Sequence, residues 1–142
     1  MKPSNIIVLV LLLIGPGIAQ AIDGSDMIKA TPLLKAQRTW VGQDIVYPEG
    51  QAEMSGVVVE MAPGGETGWH KHPVPSVGYM IEGQLEVHFR NGDVKKLNAG
   101  EAAAEAVDVW HNGVNVGEGP VKLVVFYVGT PNIKLTEREN PE

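Results

Sequence analysis

From Ser55 onward, short runs rich in Val, Ile, Phe and Tyr alternate with turn residues about every eight to twelve positions, the pattern of an all-β sandwich or barrel. The clearest strand runs are GVVVEM (56–61), VGYMIE (77–82), QLEVHFR (84–90) and VKLVVFYV (121–128). Two turns order the meander. Glu82-Gly83 separates two runs, and Asn91-Gly92 before Asp93 predicts a type I′ hairpin turn, whose two central residues both need positive φ. In QLEVHFR, Leu85, Val87 and Phe89 share one face while Glu86, His88 and Arg90 share the other, which makes His88 a surface strand residue. EAAAEA (101–106) carries helix-forming residues where the rhythm expects a strand. The preceding Ala99-Gly100 and the shortness of the run favour a strand whose small side chains leave room inside a barrel; a helical turn is the local alternative.

The first residues have a different character. Lys2 precedes the unbroken apolar run IIVLVLLLI (6–14), and Ala19-Gln20-Ala21 is a small-x-small cleavage site, so residues 1–21 are expected to be a secretory signal peptide cut near Ala21. The run is far shorter than the ~20 residues that span a bilayer, and the absence of cysteine rules out a lipid anchor at the cleavage site, so no stable membrane anchor is expected after cleavage. The mature chain is then periplasmic or secreted. In that oxidising space a chain without cysteine holds together by packing alone. Removing residues 1–21 takes away one Lys and leaves 10 basic against 17 acidic residues, a net charge of −7. An acidic chain without a basic cluster is a poor match for nucleic acid, and no nucleic-acid partner is expected.

Residues 22–54 show no sustained period and are expected to wrap the domain as an N-terminal arm anchored by Leu33, Leu34 and Trp40, with a short helix near Leu33 as an option. Residues 55–129 form the barrel, and the polar tail 130–142 is expected to be loosely packed or disordered.

With no thiol available, any metal site must come from histidine and carboxylate. His70 and His72 are one residue apart, so on a strand both imidazoles leave the same face about 6.6 Å apart at the backbone. His111 lies beyond a hairpin and a further strand, where a closed barrel would deliver a third ligand. Trp69 and Trp110 each precede one of these histidines and point away, into packing or a dimer contact. Gly78 and Met80 share the parity of Ser76 and line the interior, Tyr79 packs, and Asn115 makes hydrogen bonds at a strand end. Glu66 precedes His70 in a loop and is expected to be solvated there, with the barrel mouth as its other option.

These residues resemble the two motifs of the cupin family. GGETGWHKHPVPSVGYMIEG (64–83) resembles G-x5-H-x-H-x3-4-E-x6-G, with Gly64, His70, His72 and Gly83 in register. GEAAAEAVDVWHNGVN (100–115) resembles G-x5-P-x-G-x2-H-x3-N through Gly100, His111 and Asn115. The resemblance implies a double-stranded β-helix, a jelly-roll barrel, that binds a divalent transition metal (Fe, Mn, Zn, Ni or Cu) through His70, His72 and His111, and commonly a homodimer. The family's glutamate ligand falls on Ser76, and its second-motif Pro and Gly fall on Ala106 and Asp108. Glu105 is the candidate replacement for the missing carboxylate, as a fourth ligand, a partner of a ligand imidazole or a catalytic acid/base; its alternative is an exposed position on the outer face, since a one-residue slip reverses it. The expected function is a metalloenzyme acting on a small anionic molecule, and the alternative is a binding or sensor protein without turnover.

Overall fold

In the computed structural model, residues 28–139 are described. The expected signal peptide and residues 22–27 of the arm lie outside the described residues, as do residues 140–142. The chain divides into residues 1–31, of which only 28–31 are described, as exposed chain without regular structure, and residues 32–142, which carry the fold.

The described residues contain strands and no helix. In order these are β1 (Glu53–Met61), β2 (His70–Lys71), β3 (Ser76–Glu82), β4 (Gln84–Phe89), β5 (Val94–Asn98), β6 (Ala102–Ala104), β7 (His111–Asn115), β8 (Val121–Gly129) and β9 (Glu137–Arg138). They form two antiparallel sheets, β1-β8-β3-β6 and β5-β4-β7-β2-β9. Consecutive strands repeatedly land in opposite sheets, which is the double-stranded β-helix arrangement that the cupin resemblance implied.

Alternation builds the core. On β8, Val121, Leu123, Val125 and Tyr127 are buried while Lys122, Val124 and Phe126 face out. Across the sandwich Leu85, Val87 and Phe89 of β4 are buried as expected, and Met80 is fully enclosed. EAAAEA does contain a strand. β6 pairs Ala103 with Gly78 on the inner face, where larger side chains would crowd the interior, and Ala104 with Val77 on the outer face.

Two turns differ in an instructive way. At Gly83 φ is +84°, and an added Cβ would sit 2.5 Å from the Pro120 carbonyl oxygen, so both conformation and space demand glycine. At the next hairpin only Gly92 has positive φ. The type I′ expectation is therefore corrected to a three-residue loop over residues 90–92, in which Gly92 N–H donates to Phe89 O at 3.0 Å and left-handed Gly92 completes the turn. Asn91 keeps negative φ because its side-chain oxygen accepts from Asp93 N–H at 3.1 Å, which closes the loop without a second left-handed residue.

The arm is anchored by fewer residues than expected. Leu33 and Leu34 are exposed and no helix forms near them, whereas Trp40 packs on the core and its backbone N–H donates to Ala104 O at 2.9 Å. Gln43 adds a clamp, donating to Val107 O at 2.8 Å and accepting from Val107 N–H at 3.0 Å. The segment after Thr130 is not loose either. Ile133 and Leu135 pack against the core, and β9 joins the five-stranded sheet beside β2.

Asn115 is the polar pin of the sandwich. Only 2% exposed, it donates through Nδ2 to Met61 O, Ala62 O and Gly119 O at 3.2, 3.0 and 2.9 Å, and its Oδ1 accepts from Gly117 N–H. Replacing it leaves several backbone groups unpaired in the interior. Asn115→Ala is expected to lower unfolding stability by about 2–3 kcal/mol in urea titration, the cost of orphaned buried partners; a loss within the range of an exposed substitution contradicts this role.

Candidate metal centre

β2 and β7 lie side by side with His70 and His111 as register partners, and His72 follows two residues after His70 on the same face. One donor atom from each of the three histidines lies within 4.8 Å of the other two, and all three residues are buried. His88, by contrast, sits on the outer face bonded to Glu86, as its parity predicted.

The orientation of the rings follows from backbone chemistry. Nδ1 of His70 donates to Gly68 O at 2.8 Å, Nδ1 of His72 to Leu135 O at 2.9 Å and Nδ1 of His111 to Val109 O at 2.8 Å. A carbonyl can only accept, so each Nδ1 carries the proton and each Nε2 keeps its lone pair. Burial holds the pKa of His70 and of His72 down at about 4, although the hydrogen bonds to Gly68 and Leu135 pull back upward. These two imidazoles are therefore neutral donors at neutral pH. Three convergent imidazoles whose outer nitrogens are already hydrogen-bonded to carbonyls fit a divalent transition metal.

The register around this group explains two departures from the family pattern. Asp108, at a family glycine position, has φ of +54°, a conformation an aspartate tolerates, and its carboxylate is bound by Lys71 at 3.1 Å. Ser76, at the family glutamate position, donates from Oγ to Glu105 Oε2 at 2.6 Å. Glu105 thus faces inward from just beyond β6, with Oε2 3.8 Å from His72 Nε2 and its side chain 13% exposed. Gly78 leaves the room it needs, since a Cβ there would stand 3.0 Å from Oε1. Burial raises the Glu105 pKa, opposed by the Ser76 hydrogen bond and His111.

These groups face a cavity of about 480 Å³ walled by Val57, Val59, Leu123 and Val125. Several of its residues had gone unremarked in the sequence. Tyr127 lies with its ring centroid 5.1 Å from that of His72, its phenol pushed up to about 12 by burial and by Glu105, against a hydrogen bond from Thr136. Its parity with Leu123 and Val125 was the available signal. Thr67 Oγ1 accepts from Gly113 N–H at 2.8 Å and contacts His70 Nδ1 at 3.3 Å. Leu135, Thr136 and Arg138 come from the supposed loose tail and carry no local signal. Glu66 lines the mouth and is exposed there, with Asn112 Nδ2 donating to its carboxylate at 2.8 Å. Trp69 packs under the Arg90 guanidinium and Trp110 beside Lys71, both away from the histidines.

The depressed imidazole pKa values carry a sign. Unfolded imidazoles titrate near 6.5, so below that pH the unfolded chain binds protons that the folded chain refuses until about 4. Stability of the metal-free protein should fall across that window and level off beneath it. Glu105 opposes this trend, since its raised pKa lets the folded form take its proton first. Urea midpoints measured against pH check the expectation: His72→Gln should flatten the decline, and an unchanged slope would contradict it.

The comparisons agree with this geometry. A family model described as a cupin domain matches residues 57–127. An uncharacterized conserved protein with a double-stranded beta-helix domain from Klebsiella pneumoniae subsp. pneumoniae is similar at 27% identity and a TM-score of 0.53, over 66% of this chain and 74% of that chain. A cupin domain from Bordetella pertussis has 24% identity and a TM-score of 0.50, over 58% and 88% of the two chains. The oxalate decarboxylase of Lactobacillus farciminis, solved with formate, has 22% identity and a TM-score of 0.53, over 60% of this chain and 26% of that one, a likeness of fold alone. A search of curated proteins finds no match. With its two-sheet barrel, its histidine spacing and a domain match that contains all three buried histidines, the chain belongs to the cupin family.

Proposed function

We propose that this cupin is an exported metal-dependent enzyme that moves a proton on a small anionic molecule. His70, His72 and His111 hold the metal, and Glu105 is the catalytic acid/base. One observation carries the reading: every ligand-side Nε2 is freed by a backbone carbonyl on the opposite nitrogen, and the cavity they face also contains an inward carboxylate.

A bound divalent ion would supply positive charge and open coordination positions for an anionic substrate. The chain's own groups do the rest. Ser76 fixes the Glu105 carboxylate by its 2.6 Å bond to Oε2, the oxygen that lies 3.8 Å from His72 Nε2, and holds it where it can take a proton from a substrate carbon or from water. Burial favours the protonated carboxyl, so the same group can return the proton. Tyr127 remains a phenol throughout the neutral range and acts as a hydrogen-bond donor toward developing negative charge. Valine and leucine side chains of β1 and β8 give the cavity an apolar wall. Proton transfer of this kind by a positioned carboxyl group is a step in isomerase, lyase and decarboxylase reactions.

Elemental analysis of untagged protein tests the site. About one equivalent of a transition metal is expected for the wild type, and less than about a tenth for His70→Ala or His111→Ala. Glu105→Gln keeps the Ser76 contact and should retain its metal while losing about 100-fold or more in turnover. A metal-free wild type sinks the reading, and undiminished turnover removes Glu105 from the mechanism. Metal binding without turnover on any acid tried would favour a sensor.

The apolar run at residues 6–14 and Ala19-Gln20-Ala21 support export. A homodimer is supported by the outer face of β1-β8-β3-β6, where Met54, Val58, Phe126 and Val77 are exposed beside an edge of β1 that is unpaired among the described residues. Native mass spectrometry of the periplasmic protein is expected to show an N-terminus at Ile22 and twice the chain mass. Retention of Met1 contradicts export, and a single-chain mass contradicts the dimer.

A further inference from the structure

The mouth of the cavity has a charge that the metal reading does not use. The sequence contains three arginines, and two of them are ion-paired, Arg38 with Asp44 and Arg90 with Glu139. Arg138 has no carboxylate partner among the described residues, although glutamates flank it on both sides. Strand alternation accounts for this. Glu137 turns to Lys71 at 3.3 Å and Glu139 turns to Arg90, while Arg138 between them turns to the cavity. Its Nη1 donates to Thr67 O at 2.7 Å, which holds the guanidinium at the rim, and Arg138 is the register partner of His70.

The wall beyond it has the opposite character. Val57 and Val59 lie on the inward face of β1, paired with Val125 and Leu123, and Val57 is 43% exposed although it points into the cavity. An inward valine left open to solvent is apolar surface available to a ligand. The cavity volume of about 480 Å³ also lies in the range that takes ligands of many heavy atoms, well beyond a two-carbon acid.

We infer that the substrate class is an amphipathic 2-oxo or 2-hydroxy acid with a branched or aromatic body: Arg138 pairs with its carboxylate, its neighbouring oxygen reaches the histidine cluster, and its apolar body lies on Val57 and Val59. This rests on the functional reading above and narrows it. The guanidinium matches a carboxylate with two parallel N–H donors, and the fork remains usable because one nitrogen alone is tied to Thr67 O. The C-terminal segment therefore both orients His72, through Leu135 O, and selects the ligand.

Calorimetric titration with three probes tests the assignment, on both the metal-free and the zinc-loaded protein. Phenylpyruvate should bind at least about tenfold more tightly than pyruvate, which lacks the apolar body, and than phenylacetone, which lacks the carboxylate. Arg138→Gln should weaken phenylpyruvate about tenfold or more and leave phenylacetone unchanged, and Arg138→Lys should recover part of the loss. Val57→Ser should narrow the gap between phenylpyruvate and pyruvate. Equal affinity for phenylpyruvate and pyruvate, or an Arg138→Gln effect that falls equally on phenylacetone, overturns the inference while zinc uptake leaves the metal reading intact. Absence of zinc uptake fails the metal reading alone, because the Arg138 contrast in the metal-free protein decides the pocket separately.

Discussion

Three hydrogen bonds from imidazole Nδ1 atoms to backbone carbonyls hold the site in its working form. Each is short, each comes from a different part of the chain, and together they join the loop before β2, the approach to β7 and the C-terminal segment. Without such partners a buried neutral imidazole could place its proton on either nitrogen and rotate its ring. With them the inward nitrogen is always the lone-pair donor, before any ion arrives. The rest of the architecture supplies those carbonyls: the Asp108 turn presents Val109 O, left-handed Gly68 presents its own carbonyl, and the packing of Leu135 on the core presents the third. Burial of these rings is tolerable for the same reason, since each has one nitrogen satisfied by a carbonyl and one aimed into the shared cavity.

The carboxylate has changed strands without leaving the site. Family spacing puts an acidic ligand on β3, and this chain has Ser76 there. Because Glu105 N–H donates to Ser76 O at 3.0 Å, residues 76 and 105 are adjacent in space, and a carboxylate on either reaches much the same volume. The small residues around it make the exchange possible. Gly78 and the alanines of β6 leave the cross-section that a longer side chain would have filled. Moving the carboxylate leaves the third face of the histidine group bordered by an acid held by a serine, an arrangement suited to proton transfer as much as to ligation.

Much of this was legible in the chain. Period-two alternation in QLEVHFR and VKLVVFYV sorted core from surface correctly, because antiparallel strands with one buried face must alternate. His-x-His spacing placed two ligands on one face for the same reason, and excluded His88. The inward turn of Glu105 was not legible, because parity in EAAAEA depends on a register set by pairing with β3, far away in sequence. Nor was the role of the last segment. Its polar residues give no hydrophobic period, yet they form a two-residue strand through contacts to β2 and through the burial of Ile133 and Leu135 alone. Composition reported what the tail lacked and could not report which carbonyl or guanidinium it would bring to the cavity. The type I′ expectation at Asn91-Gly92 failed on a smaller scale, where a side-chain hydrogen bond stabilised a competing turn.

Charge and shape then divide the work between the two ends of the pocket. Imidazole donors and the Glu105 carboxylate lie at the base, and Arg138 adds a positive locus at the rim of an acidic protein, the charge arrangement on which the proposed anionic ligand relies. The account depends on all three imidazoles meeting one ion through their inner nitrogens. X-ray absorption spectroscopy of the zinc-loaded protein measures this directly. The account predicts three imidazole nitrogens at about 2.0–2.1 Å, with oxygen completing the shell; a shell with one imidazole or none would contradict it.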